Sequence, residues 1–257
     1  MTLHYQLDGP EGAPVVVLSN SLGTTLSLWE PQLAALTARF RVLRYDTHGH
    51  GQTAKKGQVT LSQLAGDVLT LLDSLNIKKA HFCGISMGGL TGLWLARFAP
   101  ERLLSVTIAN SAAKIGEPAG WLDRARSVRE EGMATVAAGA AQRWFSEAFR
   151  HRSPQLIEPL IDQLARSDAE GYAACCEALA EADLRHEIKA IALPLLVIAG
   201  EQDPVTTVAD GEFLQQQVAG SQLTIVPASH LSNVEAPQAF NDALIAFLLN
   251  QEARHAG

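Results

Sequence analysis

Cysteine is scarce in this chain. There are three in 257 residues, Cys83 and the neighbours Cys175 and Cys176, an odd number without framework spacing. That excludes a disulfide-stapled secreted scaffold and predicts a reducing, cytoplasmic setting. An excess of basic charge is also missing. Lys plus Arg number 20 against 27 Asp plus Glu, a formal net charge of −7 with the signs interspersed, so the footprint of a nucleic-acid binder is absent. No apolar run reaches the roughly 20 residues of a membrane span. The N-terminal Met1-Thr2-Leu3-His4-Tyr5 lacks the pattern of a signal peptide, so no membrane partner is expected. The chain also has no internal repeat, Gly-rich phosphate loop or zinc-ligand spacing.

What the chain does have is enough apolar residues, 47%, for one full-size core with an insertion. Short apolar runs at 3–8, 15–19, 41–45, 80–84, 104–109, 195–200 and 222–226 predict strands. Helical patterns fall between them, notably at 28–38, 60–76, 87–98 and 236–250. Such alternation is the mark of an α/β fold with a mostly parallel sheet flanked by helices. The stretch 115–186 breaks it: no strand pattern appears, and helical segments are expected at 119–131, 133–147, 153–165 and 168–180. The expected organisation is a core in two parts, 1–114 and 187–257, with 115–186 inserted as a helical cap over the site, where it excludes water and shapes a pocket.

The most informative segment is Gly84-Ile85-Ser86-Met87-Gly88, a G-x-S-x-G motif between a strand pattern at Lys79–Cys83 and a helical one at Gly89–Phe98. A strand that feeds a helix through so tight a turn strains the serine backbone. It holds the hydroxyl at the top of the sheet and at a helix N-terminus. Glycine on either side removes the Cβ atoms that would keep strand and helix apart. A glycine-rich turn with an incidental serine is the plainer reading, and the strand–turn–helix context argues against it.

A serine in this setting needs a base and an acid, which follow it in chain order. Pro194–Gly200 reads as a buried strand followed by Glu201-Gln202-Asp203-Pro204, and Gln222–Pro227 as another followed by Ala228-Ser229-His230-Leu231. Asp203 and His230 thus fall just past the C-terminal ends of two late strands, the edge where open α/β sheets bind ligands. His230 would take the Ser86 proton, and Asp203 would fix the imidazole tautomer. Glu201, Asp183 and Glu235 compete for the acid's place. Asp203 is preferred because G-x-x-D after a buried strand is the expected position.

An oxyanion hole requires two backbone N–H donors, assigned to Met87, after the serine, and Leu22, in the loop Asn20-Ser21-Leu22-Gly23 after an early strand. The turn Asp46-Thr47-His48-Gly49-His50-Gly51 contains two histidines, read as structural because no further ligands are spaced to complete a metal site. The cap supplies Trp121, Arg124, Arg126, Arg129, Arg143, Trp144, Arg150 and Arg152. Arginine grips a carboxylate with two parallel hydrogen bonds, and an indole gives a flat apolar wall. Most of these arginines are expected to pair with Asp123, Glu130, Glu131 or Glu147 on helix faces. Arg124, one turn from Trp121, and the Arg143-Trp144 neighbourhood are the expected substrate contacts.

These motifs resemble the α/β-hydrolase superfamily over about residues 1–115 and 185–250, with His48 where its D-x-R-G-x-G turn carries arginine. Within it the chain is similar to the 3-oxoadipate enol-lactonases. The similarity lies in Leu18–Thr24, with Asn20-Ser21 in place of His-Gly, in Tyr45–Gly51, Arg143-Trp144-Phe145, Gly171–Cys176 and Ala182–Arg185. The resemblance implies hydrolysis of a small anionic lactone, 3-oxoadipate enol-lactone, in the breakdown of protocatechuate and catechol, without metal or organic cofactor. A general carboxylesterase, a carbon–carbon bond hydrolase of ring-cleavage products and a non-catalytic receptor on the same scaffold are the alternatives.

Overall fold

Runs rich in Val, Ile and Leu become the strands of one seven-stranded sheet in the computed structural model, which describes residues 3–55 and 57–255. Met1 and Thr2, the start of the N-terminal stretch read above, lie outside the described residues. The strands are β1 (Tyr5–Asp8), β2 (Val15–Ser19), β3 (Arg41–Tyr45), β4 (Ala80–Ile85), β5 (Leu103–Ala109), β6 (Leu195–Gly200) and β7 (Gln222–Val226). Their order across the sheet is β1-β3-β2-β4-β5-β6-β7. Only β1 runs antiparallel, pairing Tyr5 with Tyr45; the other neighbours are parallel. β4 and β6 are buried at every position. That explains why they read as continuous apolar runs and not as alternating ones: helices cover both faces.

The core helices are α1 (Glu30–Thr37), α2 (Leu61–Ser74) and α3 (Met87–Phe98). Thr60 caps α2 by accepting from the Gln63 N–H at 3.1 Å. The α3 helix packs on β4 and β5 beneath the site. Five helices follow between β5 and β6: α4 (Pro118–Glu131), α5 (Ala134–Trp144), α6 (Glu147–Arg152), α7 (Pro154–Ala165) and α8 (Ala169–Glu181). The chain closes with α9 (Val208–Gln217), α10 (Ser232–Glu235) and α11 (Pro237–His255).

Two expectations need correction. The helix expected over 28–38 begins as a 3-10 turn, Leu26–Trp29, and becomes α-helical only at Glu30, with Pro31 in its first turn. The helix expected over 133–147 breaks at Phe145, which is extended (φ −134°, ψ 146°), and Ser146 then caps a separate α6. Burial drives that break: Phe145 is buried and its ring lies 5.3 Å from that of Phe149. The helix α9 falls between two strands, as the alternation implies, although its range was not singled out. Its sequence VADGEFLQQQ has no apolar stripe, but Thr207 and Asp210 form a capping box. Gly211 lets the helix lie close on β6; a Cβ there would sit 3.2 Å from that of Ala199.

Candidate functional site

The strand-to-helix turn between β4 and α3 is as tight as its glycines imply. Ser86 has φ 55° and ψ −117°, a left-handed backbone for a residue with a side chain. Such strain costs about 1–3 kcal/mol and persists only where the surroundings enforce it. A Cβ on Gly84 would lie 2.1 Å from the Gly88 carbonyl oxygen, and one on Gly88 would lie 2.2 Å from that of Ser19. The Ser86 N–H donates to the Ala109 carbonyl at 2.9 Å, and the Ser111 hydroxyl donates to the Ser86 carbonyl at 2.7 Å. Both faces of the turn are thus pinned to the end of β5.

The three residues expected to act together are adjacent. Ser86 Oγ lies 2.9 Å from His230 Nε2, and His230 Nδ1 lies 2.8 Å from Asp203 Oδ2. With Nδ1–H donating to the carboxylate, Nε2 is free to accept the serine proton. Asp203 is otherwise saturated. Its Oδ1 accepts from the Val205 and Thr206 N–H groups at 2.8 and 3.1 Å. Its Oδ2 accepts from Thr206 Oγ1 at 2.8 Å and Asn110 Nδ2 at 3.0 Å. Burial raises the pKa of this carboxyl, but its electrostatic interaction with His230, together with these hydrogen bonds, outweighs it and holds it below its ordinary value.

The competing acids are engaged elsewhere. Glu201 is exposed, and Asp183 pairs with Arg185 on the surface. Glu235 is buried, and it accepts from Ser146 N–H at 3.1 Å, Ser229 N–H at 3.1 Å and the Ser146 hydroxyl. In that position it ties the start of α6 to the residue before His230. Leu231 N–H donates to the Trp144 carbonyl at 3.0 Å, so both neighbours of His230 are fastened to the segment 144–146.

Asn110 escaped the sequence reading. It follows β5 with φ 43°, donates to Asp203 and to the Ser229 carbonyl (3.0 Å each), and accepts from the Ser232 hydroxyl. One amide therefore spans both the acid and the histidine loop. The available signal was an asparagine at the end of an apolar strand, since asparagine tolerates the left-handed region.

The assigned oxyanion donors are the Met87 N–H, in the first residue of α3, and the Leu22 N–H, in the loop after β2. Neither has a hydrogen-bond partner among the described residues. Side chains brace that loop. Asn20 donates to the Tyr45 carbonyl at 2.8 Å and accepts from Trp29 Nε1 at 2.9 Å. His50 Nε2 accepts from the Gly23 N–H at 3.0 Å, while its Nδ1 lies 3.1 Å from the His48 carbonyl. Burial lowers the pKa of His50, which keeps it neutral and able to accept. His48 lies 3.1 Å from Asp67. The two histidines thus tie their turn to the loop after β2 and to α2.

Ser86, His230 and Leu22 face a cavity of about 320 Å³, and all four expected substrate contacts, Trp121, Arg124, Arg143 and Trp144, line it too. Arg124 lies over the Trp121 ring, 4.9 Å from its centroid. Arg143 donates to the Val136 carbonyl at 2.8 Å. Burial and the nearby charge of Arg124 both lower its pKa. Tyr172 also lines the cavity; it stood in a family-like segment but was not assigned to the site. The remaining cap arginines do not line it. Arg126 pairs with Asp123 as expected, but Arg129 reaches across to Glu170 and Glu177, because α4 packs against α8. No ion pair to Glu130, Glu131 or Glu147 forms among the described residues. A larger open groove of about 700 Å³, between Thr25, Gly51–Ala54 and Pro159–Asp168, contains none of the three central residues and is not the reacting centre. Among the described residues no helix is long and apolar enough to cross a membrane.

A family model for the alpha/beta hydrolase fold matches residues 14–237. Two proteins of Acinetobacter baylyi named 3-oxoadipate enol-lactonase 1 and 2 are 50% and 52% identical to this chain, each over 96% of it and 93% of their own length. The crystal structure of the enol-lactonase from Burkholderia xenovorans LB400 superposes with a TM-score of 0.94 at 48% identity, covering 96% of both chains.

Proposed function

The chain belongs to the alpha/beta hydrolase fold family and, within it, to the 3-oxoadipate enol-lactonases; from that membership we propose that it is a serine hydrolase that opens 3-oxoadipate enol-lactone to 3-oxoadipate in the breakdown of protocatechuate and catechol. Ser86, giving its proton to His230, attacks the lactone carbonyl. The tetrahedral oxyanion rests on the Leu22 and Met87 N–H groups at the positive end of α3; losing one such donor typically costs about 3 kcal/mol of barrier. The Oγ–C bond forms and the ring C–O bond breaks. The enolate leaves, still tethered, and picks up a proton to become the ketone. Water, deprotonated by His230, then cleaves the acyl-enzyme, and Asp203 stabilises the imidazolium at both stages.

The observation that carries this reading is the meeting, in one small cavity, of the Ser86–His230–Asp203 relay with two guanidiniums, Arg124 and Arg143. Attack needs the relay, and an anionic substrate needs the cations. Trp121 and Trp144 supply the apolar walls. Three unpaired, buried cysteines support a reducing, cytoplasmic setting.

The test is a spectrophotometric assay on enol-lactone generated in situ. The wild-type protein should consume it with release of free acid, and Ser86→Ala, shown by circular dichroism to be folded, should fall to background. Near-wild-type turnover in that variant would overturn the serine mechanism, and a wild-type protein inert on the lactone would overturn the substrate.

A further inference from the structure

Two guanidiniums face one cavity, and among the described residues neither has a carboxylate within ion-pair distance. The acid nearest in the lining, Glu117, pairs with Lys114 at 2.8 Å. Both cations act on Tyr172, whose phenol is otherwise raised by burial. Each also contacts its own helix. Arg124 on α4 lies over the Trp121 ring. Arg143 on α5 folds back along its own helix, passing Gly139 and donating to the Val136 carbonyl. A Cβ on Gly139 would stand 2.7 Å from Arg143 Nη1, so the guanidinium tip would have to shift to make room for it. Glycine within a helix costs about 1 kcal/mol relative to alanine, so the position gives up helix stability and gains room for a cation. Two like charges without a counter-ion disfavour each other, and a bound anion relieves them.

We propose that Arg124 and Arg143, with Gly139 as the residue that positions the second, form a two-guanidinium carboxylate subsite that extends the reaction from the lactone to half-esters of short aliphatic dicarboxylic acids. This rests on the reading of Ser86 as nucleophile, and nothing in the attack requires a ring. In a half-ester the Ser86 Oγ–C bond forms and the C–OR bond breaks. The leaving alkoxide takes the proton from His230 and departs as a free alcohol. Water then cleaves the acyl-serine to give the dicarboxylate. The far carboxylate occupies the arginine subsite throughout. The cavity, about 320 Å³, stands at the low end of ligand pockets (about 300–1,000 Å³), which selects short chains.

The test compares monomethyl succinate, glutarate and adipate with methyl butyrate, pentanoate and hexanoate, following acid release at constant pH, with the lactone assayed in parallel. A charge-assisted contact predicts a kcat/KM about ten- to a hundredfold higher for at least one half-ester than for its neutral match. Arg124→Met, Arg143→Met and Gly139→Ala should each lower that ratio. Gly139→Ala should do so while holding or raising the melting temperature, which a merely structural glycine would not do. A wild-type ratio near one overturns the proposal, as does a ratio unchanged in all three folded variants. If the lactone is opened in a Ser86-dependent way and no half-ester is cleaved, the proposal fails and the lactonase reading stands. If neither lactone nor ester is cleaved, both fall.

Discussion

Replacing Asp203 with Asn tests the relay most sharply, because the structure dictates how the amide must sit. Two donors to Oδ1, the Val205 and Thr206 N–H groups, belong to the backbone and cannot turn away. The asparagine oxygen must therefore take that place, and its NH₂ must take the place of Oδ2. There it meets His230 Nδ1 at 2.8 Å and Asn110 Nδ2 at 3.0 Å, both of which donate in the native protein. Asn110 cannot flip without losing its bond to the Ser229 carbonyl. His230 Nδ1 also lies 3.1 Å from the position of the retained oxygen, but its shorter contact is now with the NH₂ group, which favours moving its proton to Nε2 and accepting at Nδ1. That tautomer presents N–H to Ser86 and cannot take its proton. In a Ser-His-Asp system such loss of tautomer control lowers kcat by about 10⁴, or about 5.5 kcal/mol of barrier. Turnover of the lactone by Asp203→Asn should fall by that order, with KM little changed. Circular dichroism and a melting curve check that the protein is folded. A folded variant that keeps a tenth or more of wild-type kcat would refute the tautomer argument and shift the acid's role to another group, Glu201 first.

Three further outcomes follow from the same geometry. Gly84→Ala drives a Cβ to 2.1 Å from the Gly88 carbonyl oxygen, backbone against backbone; the variant should be insoluble or melt far below wild type, and normal expression with normal activity would contradict the turn described here. Glu235→Ala strands the buried Ser146 and Ser229 N–H groups, each at a cost of about 1–3 kcal/mol; chemical denaturation should show that loss, and KM should rise as Trp144 loosens. On the acid side, Asp203 has a depressed pKa when folded, so its contribution to stability is complete above the unfolded value near pH 3.9 and is lost as pH falls below it through the folded value. Melting temperature should therefore drop less steeply below about pH 4 in Asp203→Asn than in wild type; parallel curves would refute the linkage.

Much of this site was legible in the residues alone because its parts are local. A G-x-S-x-G between strand and helix patterns specifies a backbone that only glycine neighbours permit, and Gly84 and Gly88 prove too close to other backbone for any side chain. Asp203 and His230 were found from their places after β6 and β7, since in a parallel sheet every strand delivers its following loop to the same edge. Trp121 and Arg124 were found from helical spacing, one turn apart on α4.

Tertiary structure decided what depends on partners distant in the chain. Asn110 bonds across 93 residues to Asp203 and across 119 to Ser229, and no local pattern encodes those distances. Glu235 looked like a rival acid from its position, yet folding aims it 89 residues away, at Ser146. The end of α5 at Phe145 was set by the burial of that ring and by the bonds between 144–146 and the histidine loop, which override a helical pattern. Which arginines face the cavity was likewise a matter of packing. Along the chain Arg129 looks no different from Arg124, but α4 lies against α8, so Arg129 meets Glu170 and Glu177 while Arg124 turns to Ser86's cavity. Sequence determines which backbone turns are possible and which residue types stand at the sheet's edge. Only the folded chain brings charges from separate helices close enough to compete, and so decides which of them remain free to meet a substrate.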